Sequence, residues 1–146
     1  MSAKLWKPIA AVVLILMVGI FCVSTFIGGC TGQLELASGS TTFMKCHWTM
    51  IAVSFTAIIG CTSALCTLLA KGVEARRMTA VLTVVTCIIM ATLQTDIAIG
   101  LCTNADMACH MTALVNWILM AASIILAVLQ IMNANPEAKA KPKMQL

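Results

Sequence analysis

Two short segments of the sequence place a methionine, a cysteine, a histidine and a threonine in the same spacing. Both follow the pattern Met-x-Cys-His-x-Thr, at Met44–Thr49 and Met107–Thr112. Thiolates and thioethers are soft ligands that suit Cu(I), and thiolate with imidazole suits zinc. One hypothesis is therefore a copper or zinc site, with Asp106 as a further ligand or a hydrogen-bond partner. Its candidate ligands are Met44, Cys46, His47, Met107, Cys109 and His110.

A second repeated pattern, Ile-Gly-x-Cys-Thr, occurs at Ile27–Thr31 and Ile99–Thr103. Together the two patterns contain four cysteines, Cys30, Cys46, Cys102 and Cys109. Four cysteines allow three pairings, and the order of the motifs favours joining the first to the second and the third to the fourth. Two such disulfides would close one end of a small protein, and this is the leading hypothesis. Disulfides and thiolate ligation exclude each other.

The elements that must position these motifs are membrane helices. Of 146 residues, 61% are hydrophobic and 10% are charged, with a mean hydropathy of +1.02. Soluble domains carry about 25% charged residues, so a soluble enzyme and a nucleic-acid binder are excluded. A span needs roughly 20 apolar helical residues. Four stretches qualify: Pro8–Ile27, Thr49–Ala70, Met78–Gly100 and Met111–Met132.

The basic residues predict the orientation of these spans. Positive residues favour the cytoplasmic side, and they cluster before the first span, at Lys71–Arg77 and in the tail. Both termini are therefore expected on the cytoplasmic side of a plasma membrane, and all four motif cysteines on its outer side. Residues 1–132 form the predicted transmembrane domain, and 133–146 a disordered basic tail.

The order of the motifs predicts two tandem helical hairpins. Each half, 8–70 and 78–132, has an outgoing helix that ends in Ile-Gly-x-Cys-Thr and a returning helix that opens with Met-x-Cys-His-x-Thr. Because both halves begin inside, the repeat is parallel. The first connecting loop is longer by nine residues.

The small residues before Cys30 match a bacterial lipobox, so cleavage and lipidation at this cysteine is an alternative. The first apolar run is longer than the roughly 7–15 residues of a signal peptide's apolar region. The same residues also recur after the third span. We therefore expect the first apolar run to remain as a span.

Polar residues within the third and fourth spans form a separate candidate site. Asp96 and Gln94 lie near the outer end of the third predicted span, and Asn116 lies at a similar depth in the fourth. Intramembrane acids are functional candidates. The favoured interpretation is that Asp96 lies close enough to the interface to reach water and simply joins two helices, where it could bond to Asn116. A polar layer that holds a headgroup, a quinone or an ion is the alternative.

The layout resembles that of the quinone-coupled membrane disulfide oxidases, which have four spans and a cysteine pair in each outer loop. A helix N-terminus lowers a thiol pKa, and Cys46 and Cys109 are predicted at such positions. The resemblance implies a thiol oxidoreductase as a third hypothesis. The first loop has no Cys-x-x-Cys, however, and both arginines lie on the opposite side.

The segment Met44–Thr49, which opens the second span, resembles an uncharacterised family of small bacterial four-span membrane proteins, a domain of unknown function. The resemblance implies an accessory or sensory subunit of an exporter-type permease complex. We therefore expect an all-α four-helix membrane bundle with a non-enzymatic role. It is expected to contact lipid and a membrane partner or a second copy. No nucleic-acid partner and no cofactor are expected; copper or zinc is the alternative, and haem and quinone are disfavoured.

Overall fold

Four long helices make up most of the protein. The computed structural model describes residues 5–28, 32–35, 37–102 and 107–133. The helices are α1 (Trp6–Cys22), α2 (Lys45–Leu69), α3 (Val73–Leu93) and α4 (Ala108–Asn133). The predicted tail from residue 134 lies outside the described residues, as do Cys30 and Asp106.

Each of the four helices is long and apolar enough to cross a membrane, α1 together with the turn that follows it. Only 28–33% of the most apolar stretch of each span is buried inside the bundle. The remaining apolar surface therefore faces outward, where a lipid bilayer covers it without the cost of contact with water. This confirms the prediction of a helical multi-pass membrane protein.

The helices close into a ring in which α1 packs against α2 and α4, and α3 packs against the same two helices. Large buried side chains, among them Met17, Val53 and Met90, fill the centre. Gly60 lets α1 approach α2, since a Cβ there would lie 2.8 Å from the Met17 sulfur. Small residues commonly permit such close packing between membrane helices.

A π-helical turn, Val23–Ile27, continues α1 toward the end that carries the motif cysteines. Two consecutive hydroxyls of this turn contact different helices. The Ser24 hydroxyl accepts a hydrogen bond from the Asn116 amide of α4 at 2.9 Å. The Thr25 hydroxyl donates to Ser54 of α2 at 3.2 Å.

The boundaries of the third span differ from the prediction of Met78–Gly100. Helix α3 begins five residues earlier, at Val73, and ends at Leu93. Arg76 explains the early start because its guanidinium donates to the carbonyls of Ala70 and Lys71, both at 3.0 Å, and so closes the end of α2. Its guanidinium also lies 3.8 Å from the centre of the Trp6 ring.

The longer first loop contains a short antiparallel hairpin of β1 (Gln33–Glu35) and β2 (Thr41–Phe43). Gln33 pairs with Phe43, and Glu35 with Thr41. Both strands are exposed. The sequence suggested only a polar loop here, because its Gly and Ser residues obscure the two short extended runs.

Candidate functional site

The first turns of α2 and α4 meet at one end of the bundle. Cys46 lies in the first turn of α2 and Cys109 in the first turn of α4, and both are fully buried. They form a small cluster with Met50 and Ala113, apart from the central core. The two Met-x-Cys-His-x-Thr segments are thus brought together, as the metal hypothesis required.

Cys102 completes a group of three thiols. It lies in the chain between α3 and α4, two residues after Gly100, whose φ of +81° favours glycine. Its Sγ–H donates to the Cys46 sulfur at 3.0 Å. The three sulfurs of Cys46, Cys102 and Cys109 all lie within 4.8 Å of one another. We call these three residues the thiol cluster.

No S–S bond links the members of the thiol cluster. The expected disulfide between Cys102 and Cys109 is not shown, and Cys102 has both Cys46 and Cys109 as sulfur neighbours. The reason is spatial: the N-terminus of α2 approaches the segment that carries Cys102. The other expected disulfide involves Cys30 and lies outside the described residues.

The motif threonines hold the chain segments at this end in place. The Thr49 hydroxyl of α2 donates to the carbonyl of Gly100 at 2.5 Å. The Thr112 hydroxyl of α4 donates to the carbonyl of Gly28 at 3.3 Å. Each Met-x-Cys-His-x-Thr segment thus binds the Ile-Gly-x-Cys-Thr segment of the other half, which fixes Cys102 beside Cys46.

The two motif histidines do not join the thiol cluster. The Nε2 of His110 lies 2.8 Å from the carbonyl oxygen of Cys102, and because a carbonyl only accepts, the proton is on Nε2. The ring of His47 stacks on Phe43, with 4.4 Å between ring centres, and meets Trp48 edge-on. Within the described residues, the ligand group contains Cys102 where the sequence had suggested His47 and His110.

The two motif methionines do lie at the thiol cluster. Met44 and Met107 pack against the group that contains Cys46, Met50 and Cys109. Met44 also contacts the backbone near Gly32, since a Cβ there would lie 3.1 Å from its methyl carbon. The surroundings of the three thiols are therefore rich in sulfur.

Burial sets the protonation of Cys102. Desolvation, and secondarily the neighbouring thiols of Cys46 and Cys109, raise the pKa of the Cys102 thiol to about 12. The thiol is therefore protonated at neutral pH. Because the thiolate is the nucleophile, this state opposes thiol–disulfide exchange at Cys102.

Asp96 and Asn116 are not paired in the structure, whereas the exposure of Asp96 agrees with its expected position near the interface. Asp96 lies beyond the end of α3 and is exposed, whereas Asn116 is fully buried and binds Ser24. The cause is the early end of α3, which places Asp96 in the following turn. Gln94 is buried, and neither atom of its amide has a partner among the described residues.

Sequence reasoning assigned Cys102 only to a disulfide and missed its place among three thiols. Its signal was the Ile-Gly-x-Cys-Thr pattern, because the glycine and cysteine of that pattern set the chain reversal beside Cys46. Neither a curated protein nor a solved structure matches the chain. A family model described as Domain of unknown function (DUF4418) matches residues 7–134, which confirms the resemblance to a family of unknown function, and the protein belongs to this family.

Proposed function

We propose that this protein is a multi-pass membrane protein that binds a thiophilic metal ion, Cu(I) or Zn(II), at the thiol cluster. One observation carries the proposal: the sulfurs of Cys46, Cys102 and Cys109 lie within 4.8 Å of one another. The three come from α2, from the segment after α3 and from α4. Such convergence of distant cysteines, with no S–S bond between these three, is the arrangement that a thiolate site requires.

The sulfur separations fit an ion. Zinc–sulfur bonds of about 2.3 Å place the sulfurs of a trigonal or tetrahedral site about 3.8–4.0 Å apart. The separation between Cys102 and Cys46 is 3.0 Å, and all three separations in the cluster are within 4.8 Å. An ion at the centre requires sulfur shifts of about 1 Å, which side-chain rotation supplies.

The charge balance also supports binding. An ion displaces one proton from each thiol, so three thiols and one ion give a tris-thiolate complex and three protons. The resulting negative charge lies at the N-terminal turns of α2 and α4, where Cys46 and Cys109 are located. Helix N-termini stabilise negative charge, and this favours the thiolate state once the ion is bound.

The membrane orientation and the cellular role that we propose rest on the sequence. The positions of the basic residues place the thiol cluster on the outer side of a plasma membrane, with both termini inside. The reciprocal hydrogen bonds of Thr49 and Thr112 support two tandem hairpins. An accessory or sensory subunit of a transporter-type complex stays a prediction, in which metal occupancy would be the signal.

Metal titration of the full chain tests the proposal. Protein purified in detergent under reducing, oxygen-free conditions is titrated with Cu(I) and separately with Zn(II) against a coloured chelator. We expect one ion per chain. Replacing a direct ligand, in Cys46→Ser, Cys102→Ser or Cys109→Ser, lowers affinity at least about 100-fold, beyond the 10–100-fold cost of losing an outer partner. Cys66→Ser, at an exposed position on α2, is the matched control.

A measurement without mutation guards against misfolded variants. Alkylation of the intact wild-type chain, followed by peptide mass spectrometry, reports which thiols the ion protects. Protection of Cys102, the member of the thiol cluster that is not fully buried, with Cys66 labelled at its metal-free rate, supports the site. Equal labelling of Cys102 with and without metal overturns the proposal, as does a Cys46–Cys102 disulfide in protein from native membranes.

A further inference from the structure

The surroundings of the thiol cluster contain information about which ion it takes. Met50 is 2% exposed and belongs to the same buried group as Cys46 and Cys109. Met44 and Met107 pack against that group from the residues just before α2 and α4. Three methionines therefore belong to, or pack against, the buried group that contains Cys46 and Cys109.

Harder ligands are absent from this group. Among the described residues, the cluster of ligand atoms contains only the three cysteine sulfurs, with no carboxylate and no imidazole nitrogen. The Nε2 of His110 is occupied by the carbonyl of Cys102. His47 lies in an aromatic stack with Phe43. Neither histidine contributes a ring nitrogen to the cluster of ligand atoms among the described residues.

The geometry points to an all-sulfur site that selects Cu(I) over Zn(II), with thioether sulfur from Met44, Met50 and Met107 supplementing the three thiols. This inference rests on the proposed metal function and names its ion. Soft thiolates and thioethers select Cu(I). Zinc in structural sites takes four nitrogen or anionic sulfur ligands, and the described residues offer three.

Charge gives a second reason for thioether participation. Three thiolates around Cu(I) leave a net charge of −2, which is costly in a buried group. A neutral thioether adds a sulfur ligand beside the three thiolates without adding further negative charge. The two fully buried cysteines, Cys46 and Cys109, and the adjacent Met50 therefore suit an ion that accepts mixed thiolate and thioether ligands.

Parallel titrations of methionine variants test this inference. Met44→Leu, Met50→Leu and Met107→Leu keep the apolar volume and remove the sulfur. We expect each to weaken Cu(I) binding, by about tenfold for the strongest contributor, and to leave Zn(II) binding within about twofold. Met120→Leu is the matched control, because Met120 is equally buried but belongs to the central core.

X-ray absorption at the copper edge gives a readout independent of affinity. An all-sulfur first shell supports the inference, and nitrogen or oxygen neighbours overturn it. Zn(II) bound as tightly as Cu(I), or Cu(I) binding unchanged in all three methionine variants, also overturns it. These outcomes differ from failure of the proposed function, in which neither ion binds or the cysteine variants bind normally.

Discussion

The two Met-x-Cys-His-x-Thr segments have the same residues and partly different contacts. Thr49 and Thr112 do the same thing, since each donates to a glycine carbonyl of the other half. The histidines differ: His110 binds the carbonyl of Cys102, whereas His47 stacks on Phe43. Phe43 ends strand β2 of the hairpin that lengthens the first loop. A repeated motif therefore fixes the backbone contacts, and an inserted element redirects one side chain.

The largest expected effect is the change of metal affinity with pH. It distinguishes Cys102, whose thiol pKa is raised, from a thiol of ordinary pKa. Each displaced proton raises affinity by up to about tenfold per pH unit below the pKa of its thiol. An unperturbed thiol, with a pKa of about 8.5, stops contributing above pH 9. Cys102, whose pKa is raised to about 12, continues to contribute. We expect Cu(I) affinity to rise between pH 9 and 11, as measured by chelator competition.

A rise in pH has the opposite effect on the metal-free protein, because it lowers folding stability. Because the folded chain holds the Cys102 proton more tightly than the unfolded chain, folding stability falls as pH rises from about 9 toward 12. Cys102→Ser should flatten both slopes, and Cys66→Ser should flatten neither. Cu(I) affinity that is constant above pH 9 in the wild type would contradict the assignment.

Removing the motif hydroxyls should show an intermediate effect. Thr49→Val keeps the shape of a fully buried side chain and deprives the Gly100 carbonyl of its donor, for which we expect a loss of about 1–3 kcal/mol in the free energy of unfolding. Thr112→Val should cost less, about 0.5–1.5 kcal/mol, because its contact to Gly28 is longer, 3.3 Å against 2.5 Å. Denaturant unfolding in detergent micelles measures both.

Equal losses in the two threonine variants would show that the halves are supported equally, despite the difference in distance. Thr62→Val is a suitable control because Thr62 is exposed on α2 and its hydroxyl donates within its own helix, to the carbonyl of Ile58. It should change stability by no more than about 0.5 kcal/mol.

The histidine substitutions should change metal affinity through one of the two segments only. His110→Phe removes the hydrogen bond that orients Cys102, and we expect Cu(I) affinity to fall about tenfold, the lower end of the cost of losing an outer partner. His47→Phe preserves an aromatic ring against Phe43 and should leave affinity within about twofold. The same chelator competition measures both. A larger loss in His47→Phe than in His110→Phe would restore His47 as a ligand.

The sequence predicted the four spans well because a run of about 20 apolar residues has few alternatives in a bilayer. It misplaced the ends of α3, since the start depends on Arg76 binding carbonyls of α2 and the end on the chain reversal before Gly100. The motif spacing correctly predicted that Cys46 and Cys109 lie close together. The spacing did not predict the contacts of Cys102, His47 and His110, because their partners depend on which loop approaches which helix end. Periodicity and spacing along the chain carry no information about that approach.

The contacts of the π-helical turn at Val23–Ile27 depend on the number of residues in this segment. A π turn contains one residue more than an α turn spanning the same path. That extra residue lets the adjacent Ser24 and Thr25 contact two different helices, α4 and α2. Loss of a single residue here would turn every later side chain of the segment by about 100°. Related chains should therefore vary in length within the first loop, which contains β1 and β2. They should keep a constant number of residues between α1 and Gly28.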